Sequence, residues 1–132
     1  MGGDGYSIVF DGGSRGNPGQ GYGSYRIRAG GGPWGPPVRL EFGSNVTNNE
    51  AEYMSLIAAL VDLSEQVGDP SRVTVEILGD SKLVISQLKG EWKVKARNLW
   101  PLFDEARSAL APFGRVRLRW HARDRSVALL GH

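Results

Sequence analysis

Near Thr47 the spacing of apolar residues changes from every second position to helical spacing, and that switch constrains the fold more than any other feature of the sequence. Upstream, Tyr6, Ile8 and Phe10 alternate with Ser7 and Val9, residues 21–29 carry Tyr22, Tyr25 and Ile27, and residues 38–43 form a third short run. Each has the alternation and the β-branched or aromatic content of a strand, and short Gly- or Pro-rich links join them, which predicts an antiparallel meander. The first strand is expected to end at Asp11, with the glycines after it forming a turn. Downstream, Tyr53, Leu56, Ile57, Leu60 and Leu63 mark an amphipathic helix from Thr47 to about Val67, stopped by Gly68 and Pro70. Val73, Val75, Ile77 and Leu78 give a largely apolar fourth strand. Residues 80–89 read as a short helix ended by Gly90, 91–98 as a polar connector, 99–110 as another helix and 116–120 as a fifth strand.

This order of elements sets directions. If strand one ascends, strand two descends and three ascends, so the long helix starts at the top and strand four climbs parallel to strand one through a right-handed crossover. Strand five climbs as well. The expected class is α/β, a mixed five-stranded sheet of three antiparallel N-terminal strands plus two parallel ones, flanked by helices. Asp11 then ends strand one, Asp80 ends strand four and Glu52 lies in the opening turns of the long helix, all at the sheet edge where α/β folds place their sites. Each acid alone has an ordinary explanation: a turn start for Asp11, a helix-dipole partner for Glu52, an N-cap for Asp80. Glu50 is better explained by a capping box with Thr47 than by catalysis. Together, three like charges a few ångströms apart raise one another's pKa and cost stability unless a cation joins them. Convergence points to metal.

At 132 residues the chain is expected to form one domain with a sizeable core. The absence of cysteine removes thiol nucleophiles, zinc–thiolate sites and disulfide frameworks. No signal-peptide pattern opens the sequence and no apolar run approaches a membrane span, so a cytoplasmic protein without membrane association is expected. The net charge of +2 hides a split: residues 1–70 carry four basic and eight acidic side chains, and residues 71–132 twelve and six. The basic half contains Lys82, Lys89, Lys93, Lys95 and Arg97, then the alternating set Arg115, Arg117 and Arg119. Such a chain can lay a polyanion along one side and keep an acidic pocket for cations on the other. Charge alone fits a solvated basic face equally well.

Three runs carry a family. Asp11-Gly12-Gly13-Ser14-Arg15-Gly16-Asn17-Pro18-Gly19, Thr47-Asn48-Asn49-Glu50-Ala51-Glu52 and Asp80-Ser81-Lys82-Leu83-Val84 stand in an order, spacing and context that resemble the type 1 ribonucleases H, over about residues 5–125. Gly90-Glu91-Trp92-Lys93-Val94-Lys95, leading straight to Asn98-Leu99, is similar to the compact branch that lacks a basic handle helix, and no separate hybrid-binding domain is expected before the first strand. The resemblance implies an endoribonuclease, acting as a monomer, that hydrolyses the RNA strand of RNA/DNA hybrids with two Mg²⁺ or Mn²⁺ ions and leaves a 5′-phosphate and a 3′-hydroxyl. Asp11 would be the shared ligand, with Glu52 and Asp80 flanking it. Hard oxygen ligands suit those ions, and a pair of them about 4 Å apart can activate a water and stabilise the leaving oxygen.

Position by position, the resemblance implies that Asn17, Asn48 and Asn49, with Gly12 beside them, meet the minor groove and the ribose 2′-hydroxyls that distinguish RNA from DNA. It implies that Thr47 grips a phosphate of the DNA strand, that Trp92, Lys93 and Lys95 line the duplex, and that Arg123, on a mobile loop, assists proton transfer or product release. Read from the residues alone, an aromatic in a connector such as Trp92 is more often a core plug. One position departs from the family. Its members carry a fourth acid on a final helix, in a run resembling Pro-Arg-Glu-x-Asn-x-x-Ala-Asp. Aligned on Arg123-Asp124, Leu130 takes that acid's place, with Asp124 six positions early and His132 two late. The expectation is an active enzyme with an altered second metal site, favouring Mn²⁺. Two alternatives stay open: a hybrid-binding module that has lost catalysis through Leu130, and a DNA-processing nuclease of the same fold.

Overall fold

The computed structural model describes residues 4–131. Strands β1 (Asp4–Gly16), β2 (Gly19–Ala29) and β3 (Val38–Val46) form the meander, followed by α1 (Asn48–Gln66), β4 (Val73–Gly79), α2 (Lys82–Leu88), α3 (Trp100–Leu110), β5 (Arg115–Trp120) and α4 (Arg123–Leu130). The sheet order is β3-β2-β1-β4-β5, antiparallel within the meander and parallel for the pairs β1/β4 and β4/β5. This is the mixed sheet expected from the change of period, with α1 carrying the chain from the β3 edge back across the sheet to β4. Among the described residues, no helix is long and apolar enough to cross a membrane.

One face of the sheet presents Ile8, Phe10, Val75 and Ile77 to α1, whose Tyr53, Leu56, Leu60 and Leu63 are fully buried. Each such side chain contributes about 1.5–3 kcal/mol on burial, so this layer fixes where α1 begins as well as where it lies. The start of α1 is set by the expected capping box, in which Thr47 Oγ1 accepts from the Glu50 N–H at 3.1 Å and Glu50 Oε1 from the Thr47 N–H at 2.8 Å. Val9 is buried on the opposite face, where α4 packs over β1 and β2 with Ser126 and Leu130 turned inward.

Two local expectations are corrected. Strand β1 does not stop at Asp11; it continues through the glycine run to Gly16, and the hairpin turn moves to Asn17-Pro18. Those glycines serve close approach more than turning. A Cβ on Gly12 would stand 2.4 Å from the Ala51 carbonyl oxygen, and one on the neighbouring strand at Gly23 would stand 1.8 Å from Ser55 Oγ, so α1 rests directly on bare backbone. Within the run from Gly12 to Gly19 only Gly16 has a positive φ, 87°. Helix α2 begins at Lys82 rather than Asp80, because the Ser81 hydroxyl accepts the Val84 N–H and takes the capping role. Asp80 is thereby left outside the helix with its carboxylate available.

Candidate active site

The register of β1 against β4 pairs Phe10 with Gly79. Asp11 and Asp80 are the next residue in each parallel strand direction, so they emerge side by side. The tight seat of α1 over Gly12 brings Glu52 to the same edge. Each of the three offers a carboxylate oxygen, and these atoms lie within 4.8 Å of one another. Asp11 is 5% exposed and Glu52 7%, and the Asp80 side chain is 5% exposed. Burial pushes the Glu52 carboxyl well above its ordinary range, the charges of Asp11 and Asp80 and a hydrogen bond with Asp11 push it further, and the Gly12 N–H opposes them. Glu52 Oε2 and Asp80 Oδ2 are buried without a hydrogen-bond partner among the described residues. Such atoms cost about 1–3 kcal/mol each, more when charged. Three mutually repelling carboxylates gathered at one buried edge form the arrangement that a hard divalent cation relieves.

One turn before Glu52, Asn49 joins this cluster to an open groove of about 510 Å³, whose other walls include Leu83, Trp92, Lys93 and Lys95. Trp92 is 48% exposed, so it is not a core plug. The connector that carries it is fixed through its backbone. Ser86 O accepts from the N–H groups of Glu91 and Trp92, Trp100 Nε1 donates to Val94 O at 2.7 Å, and Gln87 Nε2 donates to Lys93 O at 3.4 Å. Gln87 is itself held by the Tyr53 hydroxyl, which donates to its Oε1 at 2.6 Å. The asparagines predicted to read the substrate also stitch the β1–β2 hairpin to α1: Asn17 Oδ1 accepts the Asn48 N–H at 3.0 Å, and Asn48 Oδ1 accepts the Ser14 N–H at 2.8 Å. Both side chains are exposed, whereas Gly12 is buried beneath α1.

The family described as reverse transcriptase-like matches residues 10–128, a span that takes in the acid cluster and the groove. The chain belongs to this family of ribonuclease H-like domains. It is 39% identical over 121 residues to the bifunctional protein Rv2228c of Mycobacterium tuberculosis, a match that covers 91% of this chain and 32% of that protein. The chain thus spans about a third of the length of the mycobacterial relatives it matches. Ribonuclease HI of Halobacterium salinarum is 38% identical over 109 residues, 73% of this chain and 51% of the relative. Among solved structures, the N-terminal RNase H domain of Rv2228c superposes with a TM-score of 0.85 at 34% identity, covering 96% of this chain and 88% of that one. LC11-RNase H1 in complex with an RNA/DNA hybrid superposes with a TM-score of 0.83 at 29% identity, over 94% and 90% of the two chains.

In this ribonuclease H-like domain the residues around the acids were only partly visible in the sequence. Arg123 lies beside the cluster, with Nη1 3.7 Å from Asp80 Oδ2 and its side chain 69% exposed. It opens α4 rather than standing on a loop, because only His121 and Ala122 connect β5 to that helix. Trp120, read from the sequence only as the end of strand five, donates from Nε1 to the Asp80 carbonyl oxygen at 3.0 Å, and Lys82 Nζ lies 5.0 Å over its ring. The pairing of Gly79 with Trp120 is the signal that places it there. His121 bonds Ser126 Oγ through Nε2 at 2.7 Å, and burial holds the imidazole below its ordinary value while Asp80 pulls the other way. Leu130, in the place where the family resemblance expects an acid, is 1% exposed at the end of α4. The carbonyl of its neighbour Leu129 accepts from Arg26 Nη1 at 2.9 Å. Asp124 is exposed in the first turn of α4 and is not part of the acid cluster, and His132 lies outside the described residues.

Proposed function

We propose that this domain is a ribonuclease H, which hydrolyses the RNA strand of RNA/DNA hybrids using divalent cations held by Asp11, Glu52 and Asp80. The observation that carries the reading is the meeting of those carboxylates within 4.8 Å, one helical turn from Asn49, which lines a groove together with Trp92, Lys93 and Lys95. Its likeness to a ribonuclease HI and to an RNase H1 solved with a hybrid supports it. Asp11, Glu52 and Asp80 would hold Mg²⁺ or Mn²⁺, which when bound would activate a water and stabilise the leaving oxygen of an in-line displacement.

The protein's own groups do the rest. The close seat of α1 holds Glu52 against Asp11 and Asp80 with water largely excluded. The exposed guanidinium of Arg123 leaves Asp80 to pair with the scissile phosphate. Asn17 and Asn48 have their amide oxygens occupied by backbone N–H groups, which leaves their Nδ2 donors for the ribose 2′-oxygens and minor-groove acceptors. Asn49 extends that contact into the groove. Thr47 and the N-terminus of α1 accept a phosphate of the DNA strand, which Trp92, Lys93 and Lys95 follow further along. Every residue invoked belongs to one chain, so a monomer suffices. Leu130 offers no oxygen, so a second bound ion would lack a protein ligand there, and Mn²⁺ is expected to serve better than Mg²⁺.

Strand-labelled hybrid, double-stranded RNA and double-stranded DNA, each incubated with Mg²⁺, Mn²⁺ or chelator, test the proposal. The expected result is cleavage of the RNA strand of the hybrid alone, abolished by chelator; equal cleavage of DNA would contradict it. The buried Leu130 favours one competing reading, a hybrid-binding module without turnover. That reading predicts tight binding and no product with either ion.

A further inference from the structure

The arginines at 115, 117 and 119 have no part in the site described above. They alternate along β5, all three are exposed, and they face away from Val116 and Leu118, which pack on the main core. Strand β5 is the sheet edge, and α4 covers this face chiefly over β1 and β2, which leaves the β4–β5 side open. Arg119 is paired with Glu76 at 3.1 Å; among the described residues, Arg115 and Arg117 have no ion pair. At about 3.3 Å per residue the arginines stand about 6.6 Å apart, in a row about 13 Å long. The upper end of that row is the active site, where His121 N–H bonds Gly79 O at 3.0 Å and Arg123 lies 3.7 Å from Asp80.

Protection of a sheet edge explains a charge on β5, but not three of one sign. Like charges along one face repel, and the other edge strand, β3, carries Arg39 and Glu41, opposite charges at the same spacing. Glu76, in register with Arg117 and paired with Arg119, offsets part of this repulsion, and a partner that brings regularly spaced negative charge relieves the rest. Guanidinium forks fit phosphate oxygens, and a row one side chain wide on an open face, without groove walls, fits a single strand rather than a duplex. We propose that the β5 arginine row is a track for a single-stranded nucleic-acid extension that continues from the duplex held at the acid cluster. The duplex part of this proposal rests on the ribonuclease reading; the track itself does not.

The test measures binding in chelator, where nothing is cleaved, by fluorescence anisotropy over a series of salt concentrations. Its probes are a blunt hybrid, the same hybrid with a single-stranded extension on each of its four strand ends in turn, and a free single-stranded 20-mer. For the wild type, an extension on at least one end is expected to tighten binding by about tenfold. R115S/R117S should lose that gain, flatten the salt slope by about 1.4 and bind blunt hybrid unchanged, while R115K/R117K keeps most of the gain. No gain from any extension, or a gain retained by R115S/R117S, would overturn the track. Should the wild type bind no hybrid at all, the ribonuclease reading fails separately. The free 20-mer then decides: weaker binding by R115S/R117S than by wild type supports the track, and equal binding overturns it.

Discussion

Asp11 within β1, Glu52 in the first turns of α1 and Asp80 just past β4 carry side chains that are largely buried, whereas Trp92, Lys93 and Lys95 stand exposed on a connector. The acids are held by side-chain packing: α1 lies on bare glycine backbone, and the β1/β4 register sets two of the three carboxylates. In the connector the backbone is tied by bonds to Ser86, Gln87 and Trp100, while the side chains of Trp92, Lys93 and Lys95 are exposed. On the proposed function, the difference follows from what each region would meet. An ion with ligand distances near 2.1 Å tolerates little displacement of its ligands, so rigidity there offsets the repulsion of three like charges. A nucleic-acid backbone varies in shape with sequence, and mobile cations follow it at little cost.

Variants in the two regions should therefore fail in different ways. The largest effect on folding is expected from Gly12→Ala, whose methyl group would collide with the Ala51 carbonyl. Forcing α1 away from the sheet should cost about 1–3 kcal/mol or more and carry hydrolysis down with it, as thermal melts and initial rates will show. Next is the pH dependence of the metal-free protein. Folding raises the Glu52 pKa above its ordinary 4.5, so above that pH the native state keeps a proton that the unfolded chain has lost. Stability is then greatest below pH 4.5 as far as this group is concerned, and falls as pH rises through the raised value. The slope approaches about 1.4 kcal/mol per pH unit at its steepest. Glu52→Gln or added Mn²⁺ should flatten it in melts recorded across pH; an unchanged slope in both would remove the claim that burial and its acidic neighbours raise the Glu52 pKa.

On the groove side, Lys93→Ala/Lys95→Ala and Trp92→Ala should each raise KM by about tenfold or less, leaving kcat and the melting temperature near wild type. A fall in kcat without a change in KM would move these residues out of the binding role. The smallest effect is expected from Tyr53→Phe, which removes the bond that anchors Gln87 under the connector. It should lower stability by about 1 kcal/mol and loosen hybrid binding slightly, as denaturant melts and titrations will report.

The same contrast explains what could be read from the sequence. The order and direction of the elements followed from the switch of period at Thr47, and once directions were known, topology alone brought Asp11, Glu52 and Asp80 to one edge. Nothing about side-chain rotamers was needed for that. The glycine run after Asp11 was misread as a turn because positive φ and close approach select the same residue, and sequence does not tell them apart. The link from Trp120 to the Asp80 carbonyl depends on the β4/β5 register, which the length of the intervening segment does not determine. The short helix α4 was visible only through family resemblance. Its buried positions, Ser126 and Leu130, lie four residues apart in a segment otherwise rich in charge, too short for a helical period to stand out.

The central claim is that three carboxylates, distant in sequence, act together on the RNA strand of a hybrid. The most direct measurement is the initial rate of RNA-strand cleavage in Mn²⁺ by Asp80→Asn beside the wild type, with matched melting curves. Loss of rate on the order of 10³-fold or more with folding intact is the predicted result. A variant that cuts the hybrid as fast as the wild type would contradict it.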